Sequence, residues 1–131
     1  MGLTKGIHHI AIKAKGIEQY RKTLDFYVNV LGMKTVRSWG EGDNLGSMVD
    51  TGNSVMEIFS NAPEVFEEGA LRHIAFDVED TDACINAVKE AGYTVTVEPK
   101  DIVIQADNPL SARIAFCIGP VGENIEFFQV K

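Results

Sequence analysis

The feature that most constrains this chain is an internal repeat. Residues 8–12 read His-His-Ile-Ala-Ile and residues 72–76 read Arg-His-Ile-Ala-Phe, while residues 56–59 read Met-Glu-Ile-Phe and residues 125–128 read Ile-Glu-Phe-Phe. The order of signals between these anchors also repeats. Each histidine segment precedes an amphipathic helix that stops at a glycine, within Leu31-Gly32-Met33 in one half and Ala91-Gly92-Tyr93 in the other. Further strands follow, and the last strand of each half carries the glutamate. Each half therefore reads β-α-β-β-β, an α+β class. The join falls in the loop around Asn61 to Ala70, which contains Pro63 and Gly69.

Local chemistry supports these elements. Ile17, Tyr20, Leu24, Tyr27, Val28 and Leu31 recur at helical spacing, and Gly32 is a natural C-terminal cap. In the second half Cys84, Ala87, Val88 and Ala91 do the same, with Asp80 or Thr81 as N-terminal cap and Gly92 as the stop. Gly40-Glu41-Gly42-Asp43-Asn44 and Thr51-Gly52-Asn53 carry hairpin-turn chemistry. The stretch from Pro99 to Pro109 reads either as a strand with a loop or as a longer loop over the site.

At 131 residues and 45% hydrophobic, the chain has enough apolar material for one packed core, or for two half-sized units sharing one. Twelve Lys+Arg against 19 Asp+Glu give a formal charge of -7, which disfavours a phosphate backbone, so no nucleic-acid partner is expected. No stretch reaches the length of a membrane span, and the N-terminus lacks the apolar run of a signal peptide, so no membrane partner and a cytoplasmic location are expected. Cys84 and Cys117 are too few for a disulfide framework and read as free thiols, with Cys84 on the apolar face of a helix and a single internal bridge as the alternative.

Period-two alternation decides which face each strand residue occupies. Ile10 and Ile12 oppose His9, Ala11 and Lys13; Ile74, Phe76 and Val78 oppose His73, Ala75 and Asp77. Met56 and Ile58 oppose Glu57 and Phe59, and Ile125 and Phe127 oppose Glu126 and Phe128. The aliphatic sets belong under the helices. The other face of each half then carries one His and one Glu among Ala and Phe, which is a cavity lining. A carboxylate there loses hydration at a cost that a cation removes. Two imidazoles and two carboxylates suit Ni²⁺, Co²⁺, Fe²⁺, Mn²⁺ or Zn²⁺ with open positions for water or a chelating substrate. His9, Glu57, His73 and Glu126 are thus the expected metal ligands. His8 points to the helix side or the edge and reads as structural. Trp39 and Phe59 are candidate pocket-lining residues.

These residues resemble the vicinal oxygen chelate superfamily, and within it glyoxalase I, the lactoylglutathione lyases. The resemblance covers essentially the whole chain: His9 within His-Ile-Ala-Ile, Leu24-Asp25-Phe26-Tyr27 running to Val30-Leu31-Gly32-Met33, Glu57, His73 and Glu126. It implies a single domain over residues 1–131, with module one at 3–62 and module two at 70–131, whose tandem βαβββ modules form a cupped mixed sheet around one divalent metal. A set of two His and two Glu is similar to that of glyoxalase I. Extradiol dioxygenases and fosfomycin-resistance enzymes typically lack the first-module Glu, methylmalonyl-CoA epimerases usually have Gln there, and bleomycin-resistance proteins generally lack the ligands.

The implied chemistry is proton abstraction beside a carbonyl or hydroxyl, through an enediolate, on a hemithioacetal or similar α-hydroxycarbonyl substrate. Glu126 is the expected principal base and Glu57 serves the opposite face. Asn61 matches a glutathione-contacting Asn of that family, and Lys13 stands where the family has an Arg that grips the γ-glutamyl carboxylate. Arg113 is a further candidate for meeting a substrate anion, with a surface role as the equal alternative. A glutathione or other thiol adduct is the implied small-molecule partner, and open sheet edges point to a homodimer. The alternatives are an acyl-CoA epimerase, an extradiol-type dioxygenase, or a small-molecule binding or resistance protein on the same scaffold.

Overall fold

A computed structural model describes residues 2–3, 6–65 and 69–131. The chain divides into two units, Met1–Val65 and Phe66–Lys131. Residues 4–5 at the start of the expected first module and residues 66–68 of the expected join lie outside the described residues.

The first unit contains β1 (His9–Lys13), α1 (Gly16–Asp25), β2 (Lys34–Glu41), β3 (Asn44–Asp50) and β4 (Val55–Phe59). The sheet order is β1-β4-β3-β2, with β1 parallel to β4 and the remaining pairs antiparallel. Met56 and Ile58 are fully buried on the helix side, as their alternation requires. The helix differs from a plain α-helix over Ile17–Leu31. After Asp25 it widens into a π-helical segment, Phe26–Val30, in which the Leu31 amide bonds the Phe26 carbonyl at 3.0 Å. The widened turn holds one extra residue, so the adjacent Phe26 and Tyr27 are both fully buried, ring edge to ring face at 5.1 Å. Gly32, at φ +80°, ends the segment in the left-handed conformation that favours glycine.

The second unit repeats the order: β5 (Ile74–Asp77), α2 (Thr81–Glu90), β6 (Val95–Ile104), β7 (Leu110–Ile118) and β8 (Asn124–Val130), with sheet order β5-β8-β7-β6. The protein is therefore α+β with two βαβββ modules. Asp80 caps α2 by accepting from the Ala83 amide at 3.0 Å. The Thr81 hydroxyl donates to the Arg113 carbonyl at 2.9 Å and fixes the start of α2 on the sheet. Ile85, Val88, Ala115, Cys117, Ile125 and Phe127 form the buried core on this side.

The uncertain stretch from Pro99 resolves as strand followed by a short loop, since β6 runs to Ile104 and β7 starts at Leu110. Proline fits because β6 is an outer strand of its sheet and its register shifts between Val97 and Lys100. Both cysteines are free thiols, as expected. Burial pushes the Cys117 thiol up to about 12 and raises Cys84 as well, so both stay protonated and unreactive at neutral pH. Among the described residues no helix is long and apolar enough to cross a membrane.

Candidate metal centre

In the first unit, parallel pairing sets Ala11 of β1 beside Glu57 of β4. His9, Ala11 and Lys13 thereby share the face of Glu57 and Phe59, opposite the helix. The His9 Nε2 and Glu57 Oε1 atoms lie 3.7 Å apart, with the Glu57 side chain 15% exposed and His9 41%. The second unit builds the same pair. Ala75 of β5 sits beside Glu126 of β8, and His73, immediately before β5, brings its Nε2 to 3.2 Å from Glu126 Oε1. Glu126 is 11% exposed and His73 44%; the Phe116 ring meets the imidazole edge to face at 5.5 Å. In both pairs the carboxylate lies deeper and the imidazole opens outward.

The surroundings of Glu126 are apolar on three sides: Ala75 on β5, Phe116 opposite on β7, and Phe128 next along its own face. Burial pushes its carboxyl above the usual carboxylate range, and the neighbouring His73 only partly offsets this. A divalent cation beside it would favour the ionised form and remove that penalty. The donor set of each pair, one imidazole and one carboxylate, fits a borderline divalent metal. Within each unit the expected ligands stand as one His–Glu pair.

Other expected site residues fall in several places. Lys13 is on the face of Glu57, with its ammonium 5.8 Å from the centre of the Phe59 ring. Asn61 is exposed just beyond β4 and pairs with Lys15 through a single β-bridge. Trp39 and Phe59 also share that face, edge to face at 5.9 Å.

His8, read as structural, contacts its neighbour in the chain. Its Nδ1 lies 2.9 Å from the Nδ1 of His9, a hydrogen bond that leaves His9 Nε2 toward Glu57. Arg113 takes the surface alternative rather than the cavity. It alternates with Phe116 to the helix face, where its guanidinium pairs with Asp82 of α2 at 2.6 Å and with Asp101 at 3.2 Å. These carboxylates occupy its donors, so its role is to tie α2 to the sheet.

Two site-face residues escaped the sequence reading, Arg37 and Met48. Register sets Met48 directly opposite Glu57 and Arg37 directly opposite Met48. Only the strand register reveals Arg37, because all eight residues of β2 are exposed and show no apolar alternation.

Comparison with known proteins gives the family and the fold. Residues 6–107 match the model of the Glyoxalase/Bleomycin resistance protein/Dioxygenase superfamily. The chain belongs to this superfamily. Among its relatives is a lactoylglutathione lyase of Neisseria meningitidis, 34% identical over 94% of this chain and 89% of that protein. A glyoxalase family protein from Enterococcus faecalis superposes with a TM-score of 0.67 at 27% identity, covering 95% of this chain and 97% of its own. A trypanothione-dependent glyoxalase I of Leishmania major has the same fold, with a TM-score of 0.71 at 20% identity over 96% of this chain and 87% of that one. The superfamily includes enzymes, commonly dependent on a divalent metal, and non-enzymatic binding proteins as well.

Proposed function

We propose that His9, Glu57, His73 and Glu126 together hold one divalent cation and that the protein is a glyoxalase I-like lyase/isomerase. The observation that carries this reading is the same His–Glu pair, on the same face, in each half of a duplicated fold. The two modules, residues 3–62 and 70–131, work as one domain in this reading, and the protein acts as a cytoplasmic homodimer. Ni²⁺, Co²⁺, Zn²⁺, Mn²⁺ or Fe²⁺ would all suit the nitrogen–oxygen donors.

When bound, the cation supplies Lewis-acid polarisation of two adjacent substrate oxygens. The protein's own groups do the rest. Glu126 takes the proton from the hydroxyl-bearing carbon next to the carbonyl, a task helped by an apolar surround that makes its carboxylate more basic. Glu57 takes the hydroxyl proton and delivers it to the former carbonyl carbon on the other face, while Glu126 passes its proton to the former carbonyl oxygen, so no net proton is gained or lost. Lys13 and Asn61 hold the tail of a glutathione or other thiol adduct, Lys13 by charge alone because an ammonium lacks the planar fork of a guanidinium. Phe59, Phe116 and Phe128 keep water away from the reacting carbon.

The test is turnover of the methylglyoxal–glutathione hemithioacetal, followed by absorbance with each metal restored in turn to chelator-treated protein. Thioester formation with at least one metal is expected. Epimerisation of an acyl-CoA, oxygen uptake with a catechol, or ligand binding without product would each replace the proposed reaction.

A further inference from the structure

The register of β2 carries a consequence for the substrate. Lys34 and Thr35 pair with Asp50 and Val49, but Arg37 pairs with Met48, so Val36 is an extra residue in a β-bulge. Without the bulge, Val36 and Ser38 would face Glu57. With it, Ser38 turns to the helix side, where its hydroxyl bonds Ser47 at 2.8 Å, and Ser47 bonds the Tyr20 hydroxyl at 2.6 Å. Arg37 and Trp39 take the face of Glu57 instead.

Two rows then cross the sheet. One runs Ala11, Glu57, Met48, Arg37, and the other Lys13, Phe59, Gly46, Trp39. Gly46 is what lets the indole lie across the sheet toward Phe59, because a Cβ there would fall 2.4 Å from the Trp39 ring. Trp39 remains 37% exposed, an aromatic surface open to a ligand. Among the described residues no carboxylate pairs with Arg37; its guanidinium meets the Met48 sulfur at 3.6 Å. In a chain of net charge -7 this is a cation placed beside aromatic surface with its charge unmatched.

We infer that the bulge-directed Arg37 and Trp39 form a subsite for an organic acid that lays a flat apolar body on the Trp39–Phe59 surface and sets its carboxylate on Arg37. Arg37 stands two strands from Glu57, roughly 10 Å across the sheet. The carboxylate is therefore the end of the molecule remote from the vicinal oxygens, if the proposed metal chemistry holds; the subsite rests on that reading only for which end of the substrate reacts. The guanidinium fork matches a carboxylate in two hydrogen bonds and also stacks on flat surfaces, which a lysine would not do.

Trp39 is the single tryptophan of the chain, so intrinsic emission reports on this subsite alone. The probes are 3-phenylpropanoate and its neutral amide, titrated into the whole protein with Ni²⁺ and again after chelation. The acid should perturb Trp39 emission and bind on the order of tenfold more tightly than the amide, with or without metal. Arg37→Gln should erase that preference and Arg37→Lys should keep part of it, both with unchanged circular dichroism. Trp39→Leu, followed by calorimetry, should weaken acid and amide alike. Equal affinity for acid and amide, or a preference that survives Arg37→Gln, would overturn the subsite. A preference lost on chelation would also overturn it while supporting a metal that binds carboxylates directly.

Discussion

The two modules share an architecture and a His–Glu pair, yet they surround the glutamate differently. Across from Glu126 the row continues into Phe116 and then Val97, and the carboxyl is raised by burial. Across from Glu57 the row continues into Met48 and then Arg37, with Lys13 and Trp39 in the next row. A duplication that keeps its His–Glu pair can thus divide its labour. One half supplies an apolar surround suited to moving a proton, and the other supplies charge and aromatic surface suited to holding a substrate.

The strongest way to break this division is to remove each carboxylate in turn. Glu126→Gln should lower hemithioacetal turnover by about 10²–10⁴-fold, the usual weight of a general base, while Glu57→Gln should cost markedly less. Steady-state kcat for the two variants decides it, and equal losses would mean that the modules are interchangeable. Next in size is a core test. Ile125→Ala, at a fully buried position behind Glu126, should destabilise by about 2–5 kcal/mol in chemical denaturation. A loss well under 1 kcal/mol would contradict the packing described for β8.

A subtler effect concerns the metal-free protein. Because burial raises the Glu126 carboxyl above its unfolded value, its charge opposes folding once the pH exceeds the ordinary carboxylate range. Glu126→Gln should therefore raise the melting temperature of chelated protein at pH 7, and the gain should vanish at acid pH where the carboxyl is protonated in both states. A drop in melting temperature at pH 7 would remove the desolvation argument.

The smallest effect belongs to the surface tie. Arg113 holds the Asp82 carboxyl below the usual range, chiefly through their hydrogen bonds. A depressed folded value stabilises above the unfolded one and is lost as pH falls through the folded value. Asp82→Asn should thus lower stability slightly at neutral pH and have no effect in strong acid, leaving turnover unchanged; altered kcat would return Arg113 to the substrate side.

Much of this was legible in the chain itself. Alternation in His-Ile-Ala-Ile and Met-Glu-Ile-Phe was enough to assign faces, because one side is aliphatic, half-buried in the first strand and fully buried in the second, and a slip by one residue would bury charge. The same logic fails for β2, where every residue is exposed and nothing in Lys-Thr-Val-Arg-Ser-Trp signals a bulge at Val36. The two readings of Arg113 stayed open for a related reason. Its strand is flanked by apolar residues on both faces, so the sequence could not show that Asp82 and Asp101, far apart in the chain, meet it on the helix side. The π-helical turn was equally hidden, since Phe26-Tyr27 fits an α-helical stripe as well as a widened one.

The most direct test of the central claim is Co²⁺ stoichiometry, titrated into chelated protein and followed by visible absorption and elemental analysis. One ion per chain is expected, with binding weakened severely by His9→Gln and by His73→Gln alike. Two ions per chain, or binding indifferent to either histidine, would show that the two His–Glu pairs do not share a metal.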